Sequence, residues 1–339
     1  MASNSFGEIL RMTSFGESHG PAVGVVVDGV PAGLALSEAD FGPELARRRP
    51  GQSAVTSARV EADAPRILSG VFEGRTTGAP IAVLVANEGQ RSADYEALRD
   101  APRPGHADES YARKYGHRDH RGGGRSSGRE TLARVIAGVI ASRLLPAETR
   151  VVAHAQRIGP VVAREFRPET IEDNPVRCAD PAAARAMVEE LETARAAGDS
   201  RGGIVAVRVL APPAGLGEPT FGKLKARLAD AMLSIGAVTG FAYGAGFDAG
   251  AMSGLDYVAD RANFGGLLGG ISTGEAIAFS VSIKPTTSIG DVARKGRHDP
   301  CIVPRVIPVI EAMARFVLAD AVLLARAGSG AGAAPEETR

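Results

Sequence analysis

The chain of 339 residues is long enough for one large domain or two ordinary ones, and its 44% hydrophobic and 23% charged content is that of a water-soluble globular protein. Lys+Arg and Asp+Glu number 39 each, so the net charge supplies no global attraction to nucleic acid or to an anionic membrane. Two distant cysteines, Cys178 and Cys301, exclude a disulfide framework and a Cys-x-x-Cys metal pair, and the start MASNSFGEIL carries no signal-peptide pattern, which predicts a cytoplasmic protein.

In chain order, five apolar runs read as strands: VGVVVDGV around 24–30, IAVLVAN at 81–87, VVAHAQRI at 151–158, IVAVRVL at 204–210 and AIAFSVSIK at 276–284. Helical spacing appears at 129–145, 181–198, 221–235 and 308–327. In the first of these, Leu132, Val135, Ile136, Val139, Ile140 and Leu144 recur at three- and four-residue steps and form one apolar stripe. Arg134 and Arg143 interrupt that stretch, which is also too short to span a bilayer. The last helix is apolar around most of its circumference and reads as part of a buried layer. Strands and helices do not alternate regularly, and no Gly-x-Gly-x-x-Gly turn follows the first strand. The pattern therefore predicts α+β, with sheets packed on a helical layer, rather than a Rossmann fold. A short echo, Pro31-Ala32-Gly33-Leu34 and Pro213-Ala214-Gly215-Leu216, follows two of the strands, as chance or an internal duplication would produce. We expect a single catalytic domain over 1–326 and a disordered tail over 327–339, where the chain is small, polar and aperiodic.

Net neutrality hides three basic clusters: Arg47-Arg48-Arg49-Pro50-Gly51, the stretch from Arg103 to Arg129, and Arg294-Lys295-Gly296-Arg297-His298-Asp299. Each alone reads equally well as a solvated loop. Together they suit one polyanion pocket, because the guanidinium fork binds carboxylate or phosphate at two points and stays charged. Ser127 and Glu130 form a capping-box pattern in front of the apolar-striped helix, after the triglycine Gly122-Gly123-Gly124. Such a helix start offers free N–H groups to an anion, although a capped helix alone explains Ser127 and Glu130.

Metal binding is disfavoured, since His117 and His120 are poorly spaced and no acidic third ligand accompanies them. In Gly16-Glu17-Ser18-His19-Gly20 the adjacent Ser18 and His19 make a poor nucleophile pair on an extended backbone. His19 and His106, beside glycines and arginines, read better as proton donors in an anion pocket. His117, His120 and His154 read as surface or structural groups.

With these residues assembled, the chain resembles the chorismate synthases from about Phe6 to Ala325. The resemblance rests on Gly16–Gly20, on Gly124-Arg125-Ser126-Ser127-Gly128-Arg129-Glu130-Thr131, and on Lys295-Gly296-Arg297-His298-Asp299-Pro300. RRRPG at 47–51, RPGHAD at 103–108, GGLLGGISTG at 265–274 and KPTTS at 284–288 also match. It implies a sandwich of antiparallel sheets around central helices and a homotetramer. The implied reaction is the last step of the shikimate pathway: anti-1,4-elimination of phosphate from 5-enolpyruvylshikimate 3-phosphate, giving chorismate. Reduced FMN is needed without net redox change, kept reduced by an external, NADP-linked reductant. Metal, nucleic acid and membrane play no part.

Carried over by motif, His19 would protonate the departing phosphate, His106 would hold or protonate the reduced flavin, and Asp299 would help remove the ring proton. Ser18, Arg48, Arg49, Arg103 and Arg129 would bind substrate. Arg125, Ser126, Ser127, Gly236, Ala237, Gly269, Lys284, Pro285, Thr286, Thr287, Ser288 and Arg297 would bind the cofactor. The chain departs from the pattern at Ala54, where the resemblance implies arginine, and at Gly236, where it implies a flavin-touching asparagine. It is also shortened after Gly254 and between Ser288 and Lys295. A divergent, weakly active or non-catalytic anion-binding relative is the alternative.

Overall fold

The structure is a computed structural model that describes residues 4–49, 63–88, 99, 102–103, 105–287, 289–290 and 299–328. Pro50, Gly51, Ala54, Pro104, Ser288, Lys295, Gly296, Arg297 and His298 lie outside the described residues, as does the expected tail from 329 onward.

The first half of the chain builds β1 (Ser5–Phe6), β2 (Arg11–Phe15), β3 (Ala22–Asp28), α1 (Gly42–Arg48) and β4 (Pro65–Ser69). A small hairpin, β5 (Val71–Phe72) and β6 (Arg75–Thr76), leads into β7 (Ile81–Ala86). Then come α2 (Asp108–Tyr115) and α3 (Thr131–Ser142). The second half gives β8 (Arg150–Ile158), β9 (Val161–Val162), α4 (Pro181–Ala197), β10 (Gly203–Leu210), α5 (Leu224–Leu233), β11 (Val238–Tyr243) and α6 (Gly254–Ala259). It ends with the hairpin β12 (Leu267–Leu268) and β13 (Ile271–Ser272), then β14 (Ile277–Ile283) and α7 (Val303–Gly328).

Among the described residues there are two five-stranded sheets, ordered β1-β2-β3-β7-β4 and β11-β14-β10-β8-β9. Every described strand pair is antiparallel. The alternating buried positions of β14 face the core, as a sheet covered on one side requires. Mixed helices and antiparallel sheets make the class α+β. Helix α3 packs on β2 and β3 and against α7, while α7 packs on β8 and β10.

The two Pro-Ala-Gly-Leu turns close by the same hydrogen bonds. In the first, Thr76 Oγ1 donates to Pro31 O at 2.7 Å and accepts from Leu34 N at 3.0 Å, while Gly33 N donates to Thr76 O at 2.8 Å. In the second, Ser272 Oγ donates to Pro213 O at 2.6 Å and accepts from Leu216 N at 2.9 Å, while Gly215 N donates to Ser272 O at 2.8 Å.

Three local expectations change. The α3 stripe is wider than the sequence spacing suggests, because Ala133, Ala137, Gly138 and Ala141 are buried as well. The last helix begins at Val303 rather than at Pro308, and it reaches Gly328, into the segment expected to be tail. Proline at 308 has no N–H for the carbonyl of Pro304, which would ordinarily end a helix there. The Arg177 guanidinium donates to that carbonyl instead, so the helix continues through. Finally, Glu130 does not complete a capping box. Ser127 caps a short 3-10 turn at Gly128–Glu130, and the Glu130 carboxylate turns to Arg134 at 3.0 Å. No helix among the described residues is long and apolar enough to cross a membrane.

The α3–α7 crossing has no space for a larger residue at Gly138. A Cβ there would lie 2.4 Å from Ala312 Cβ and 2.5 Å from its Cα. Gly138→Ala gains about 1 kcal/mol of helix propensity, but overpacking of this kind typically costs about 1–3 kcal/mol, and here the obstacle includes backbone. A net loss of stability is expected, read as a lower denaturation midpoint in guanidinium chloride.

Candidate active site

The sequence motifs converge at the ends of the sheets opposite the two Pro-Ala-Gly-Leu turns. The turn after β2 carries Ser18 and His19, both buried, at 8% and 5% exposure. Against them stands the triglycine. Gly122 is left-handed, at φ +62°, and a Cβ there would lie 2.3 Å from His19 Cδ2 and 2.5 Å from Ser18 Oγ. A Cβ on Gly123 would lie 3.1 Å from Arg103 Nη2 and 3.9 Å from His106 Cε1. Backbone without side chains thus separates the two histidines on which the sequence argument turned.

The remaining groups join by short contacts. His106 is half-buried on the turn ahead of α2. Beside it, the Gly105 carbonyl accepts from Lys284 Nζ at 3.0 Å, and a Cβ on Gly105 would lie 2.8 Å from Thr287 Cγ2. Thr286 Oγ1 donates to Asp299 O at 3.3 Å, and the Asp299 carboxylate pairs with Arg305. Pro285 lies between Lys284 and Thr286, against Gly202. Lys284 N donates to Ala237 O at 3.0 Å, bringing the end of β14 to the Gly236-Ala237 turn. Ala237 itself is left-handed, at φ +72°. Ser126 N donates to Gly123 O at 2.9 Å, closing the turn beneath the histidines.

The guanidinium groups of Arg48, Arg103, Arg125 and Arg129 are already engaged. Arg48 is buried and donates through Nη2 to Gly128 O at 2.6 Å and through Nε to Thr131 Oγ1 at 3.2 Å, at the start of α3. Arg49 ends α1, its N–H donating to Leu45 O at 3.0 Å. Arg129 Nη1 donates to Asp63 Oδ1 at 2.9 Å, and Arg48 Nη1 lies 3.8 Å from Asp63 Oδ2. Arg103 grips Asp108 through Nε at 2.8 Å and Nη2 at 2.9 Å. These hydrogen bonds hold the buried Asp108 carboxyl down to about 2. Arg125 donates to Gly16 O at 2.9 Å and to Ser14 Oγ at 2.6 Å, which fastens the His19 turn to β2.

Gly269 is not brought to the other residues. It turns the β12–β13 hairpin, where Lys223 Nζ donates to its carbonyl at 2.8 Å, beyond the Ile277 end of β14 and away from Lys284. A cavity of about 330 Å³ opens at that same end between Phe6, Phe221 and Leu324. Three of its four charged side chains are engaged: Glu8 pairs with Arg227, and Asp320 accepts from the N–H groups of Glu8, Ile9 and Leu10. His154 is buried on β8 beside Phe166, where burial pushes its imidazole down to about 4. Among the described residues, no group of three or more His, Cys, Asp or Glu side chains is placed to hold a metal ion.

Three polar residues at the site escaped the sequence reading: Asp63, Asn87 and Asp108. Asp63 lies 66 positions from Arg129, and no spacing rule links the two. Asp108 stands within the RPGHAD motif at 103–108, where the sequence assigns it no role.

A sequence model of the family described as chorismate synthase matches residues 10–323. The chain is 51% identical over 353 aligned positions to a chorismate synthase of Methanosarcina mazei, covering 95% of this chain and 97% of that one. It is 47% identical over 358 positions to the chorismate synthase of Porphyromonas gingivalis, with 96% and 97% covered. Both alignments are longer than the 339-residue chain, so this sequence is gapped against its relatives. A crystal structure of a chorismate synthase superposes with a TM-score of 0.77 at 30% identity, covering 95% of this chain and 94% of the other.

The Arg103–Asp108 pair makes stability pH-dependent. Because the folded carboxyl is held near 2 and the unfolded one titrates near 4, the stabilisation is present above about pH 4 and is lost as pH falls toward 2. The stability difference between the wild type and Asp108→Asn, measured by urea unfolding, should therefore shrink by about 2 kcal/mol across that window.

Proposed function

The chain belongs to the chorismate synthase family, and we propose that the pocket around the triglycine carries out that family's phosphate elimination with reduced FMN. The enzyme is a lyase acting on 5-enolpyruvylshikimate 3-phosphate. The observation that carries the assignment of the pocket is the backbone wedge of Gly122 and Gly123 between Ser18-His19 and Arg103-His106.

The donor set suits a flavin phosphate. Lys284, Ser126, Thr286 and Thr287 offer an ammonium and three hydroxyls, and the side-chain-free turns at Gly105 and Gly122–Gly124 form a cradle that any Cβ would fill. Lys284 and its neighbours would hold the cofactor phosphate, with His106 and the Ala237 turn toward the ring. Reduced FMN held there would supply transient electron density to the substrate C–O bond that breaks, with no net redox change.

The protein's own groups do the rest. Arg48, Arg103 and Arg129 bind the substrate carboxylates and phosphate, each guanidinium fixed beforehand by a carboxylate or carbonyl partner. His19 donates a proton to the departing phosphate oxygen as the C–O bond breaks. Its burial keeps water from that transfer. Asp299, held by Arg305, accepts the ring proton as the new double bond forms. Ser18 Oγ is buried and has no hydrogen-bond partner among the described residues, which suits a donor aimed at a ligand oxygen.

The shared four-strand order, β2-β3-β7-β4 against β8-β10-β14-β11, the matched Pro-Ala-Gly-Leu turns and the paired central helices support reading the fold as a duplicated sandwich of sheets around helices. A cytoplasmic homotetramer supplied by an external flavin reductant belongs to the same proposal.

Anaerobic turnover with reduced FMN tests the assignment. Phosphate release should fall by about 10²–10⁴ in His19→Ala with the fold retained. A folded wild-type chain that neither binds flavin nor releases phosphate would overturn it. At Gly236 no atom lies within 4 Å of an added Cβ, and the residue is not left-handed, so a side chain enters without strain. Gly236→Asn should tighten FMN binding about 2–10-fold in a fluorescence titration, the worth of one added hydrogen bond.

A further inference from the structure

We propose that Asn87 is a positioning residue that makes the His19 turn and Arg129 one rigid unit; the inference rests on the proton-donor reading of His19. Asn87 directly follows β7, and its backbone N–H donates to Pro21 O at 3.0 Å. Its side-chain Nδ2 donates to Glu17 O at 3.0 Å and to Gly20 O at 2.8 Å, the two carbonyls that bracket Ser18 and His19. Its Oδ1 accepts from Arg129 Nε at 2.5 Å. Both donors and the acceptor of the amide are therefore used.

The turn needs such a brace. It is flanked by glycines, with Gly16 left-handed at φ +87°, and its own closure is one bond from Gly20 N to Glu17 O at 3.1 Å. Arg125 anchors the turn at its entry, on the Gly16 carbonyl at 2.9 Å, ahead of Ser18 and His19. Asn87 fixes the turn from the sheet, and the same amide holds one edge of Arg129 while Asp63 holds another. Only a short primary amide meets these three partners. Aspartate would set carboxylate oxygens against two carbonyl oxygens, and alanine removes all three bonds.

The test is anaerobic turnover with reduced FMN for Asn87→Ala and for the isosteric Asn87→Asp, each alone and combined with His19→Ala. Each single substitution should lower kcat about 10²-fold, the scale of an ångström-sized misplacement, while FMN affinity by fluorescence titration stays unchanged. In the His19→Ala background the same changes should lower the residual kcat by less than about threefold, because the kcat effect passes through His19, while the loosened Arg129 raises KM in both backgrounds. Additive losses, or wild-type kcat in Asn87→Asp, overturn the proposal. If Asn87→Ala does not fold, Asn87→Asp decides the outcome. A His19→Ala chain with undiminished rate overturns the reading of His19 and the proposal with it, whereas additive losses leave that reading standing.

Discussion

The close approach of α3 to α7 at Gly138 and Ala312 is the constraint on which the rest of the molecule depends. Each helix carries a different sheet, α3 the one containing β2 and β3, α7 the one containing β8 and β10. The contact thus sets the spacing of the two sheets. It also sets the spacing of the site. The start of α3 supplies the Gly128 carbonyl and Thr131 hydroxyl that hold Arg48, and α7 begins four residues after Asp299. Arg305, in the first turn of α7, completes the link by pairing with Asp299 and donating to the Arg48 carbonyl at 3.4 Å. A core contact between two small residues therefore has direct consequences for catalytic geometry.

Electrostatics explains how a chain of zero net charge builds a pocket for an anionic ester. The arginines are not left to repel one another in a buried site. Asp63 lies between Arg48 and Arg129, and Asp108 takes the fork of Arg103. Burying unpaired guanidinium groups would be prohibitive, whereas paired ones tolerate burial and hold their orientation. Asn87 completes this scaffold with a neutral group, where another charge would upset the balance.

The long elements were legible because their periodicity is strong. The five strands and four helices expected from hydrophobic spacing all occur, with boundaries shifted by a few residues at most ends. Strands β1, β2, β4, β5, β6, β9, β11, β12 and β13 and helices α1, α2 and α6 were missed. They are short or carry mixed polar residues, and their stability comes from neighbours in the sheet or from packing rather than from their own pattern. The start of α7 was misplaced for a related reason. Pro308 is a valid local stop signal, and only a guanidinium from 131 positions earlier cancels it.

At the site, the sequence by itself determined the family and the motifs that hold the proposed reacting groups: His19, His106, Asp299 and the arginines. It also determined that glycines must flank them. Tertiary structure alone decided which glycine meets which histidine, that Gly269 turns away from the other candidates, and that Asp63, Asn87 and Asp108 hold the arginines. The reason is physical. Periodicity and motif spacing act over a few residues, while a hydrogen bond between positions 42 or 66 apart exists only after the sheets and central helices have brought the chain together.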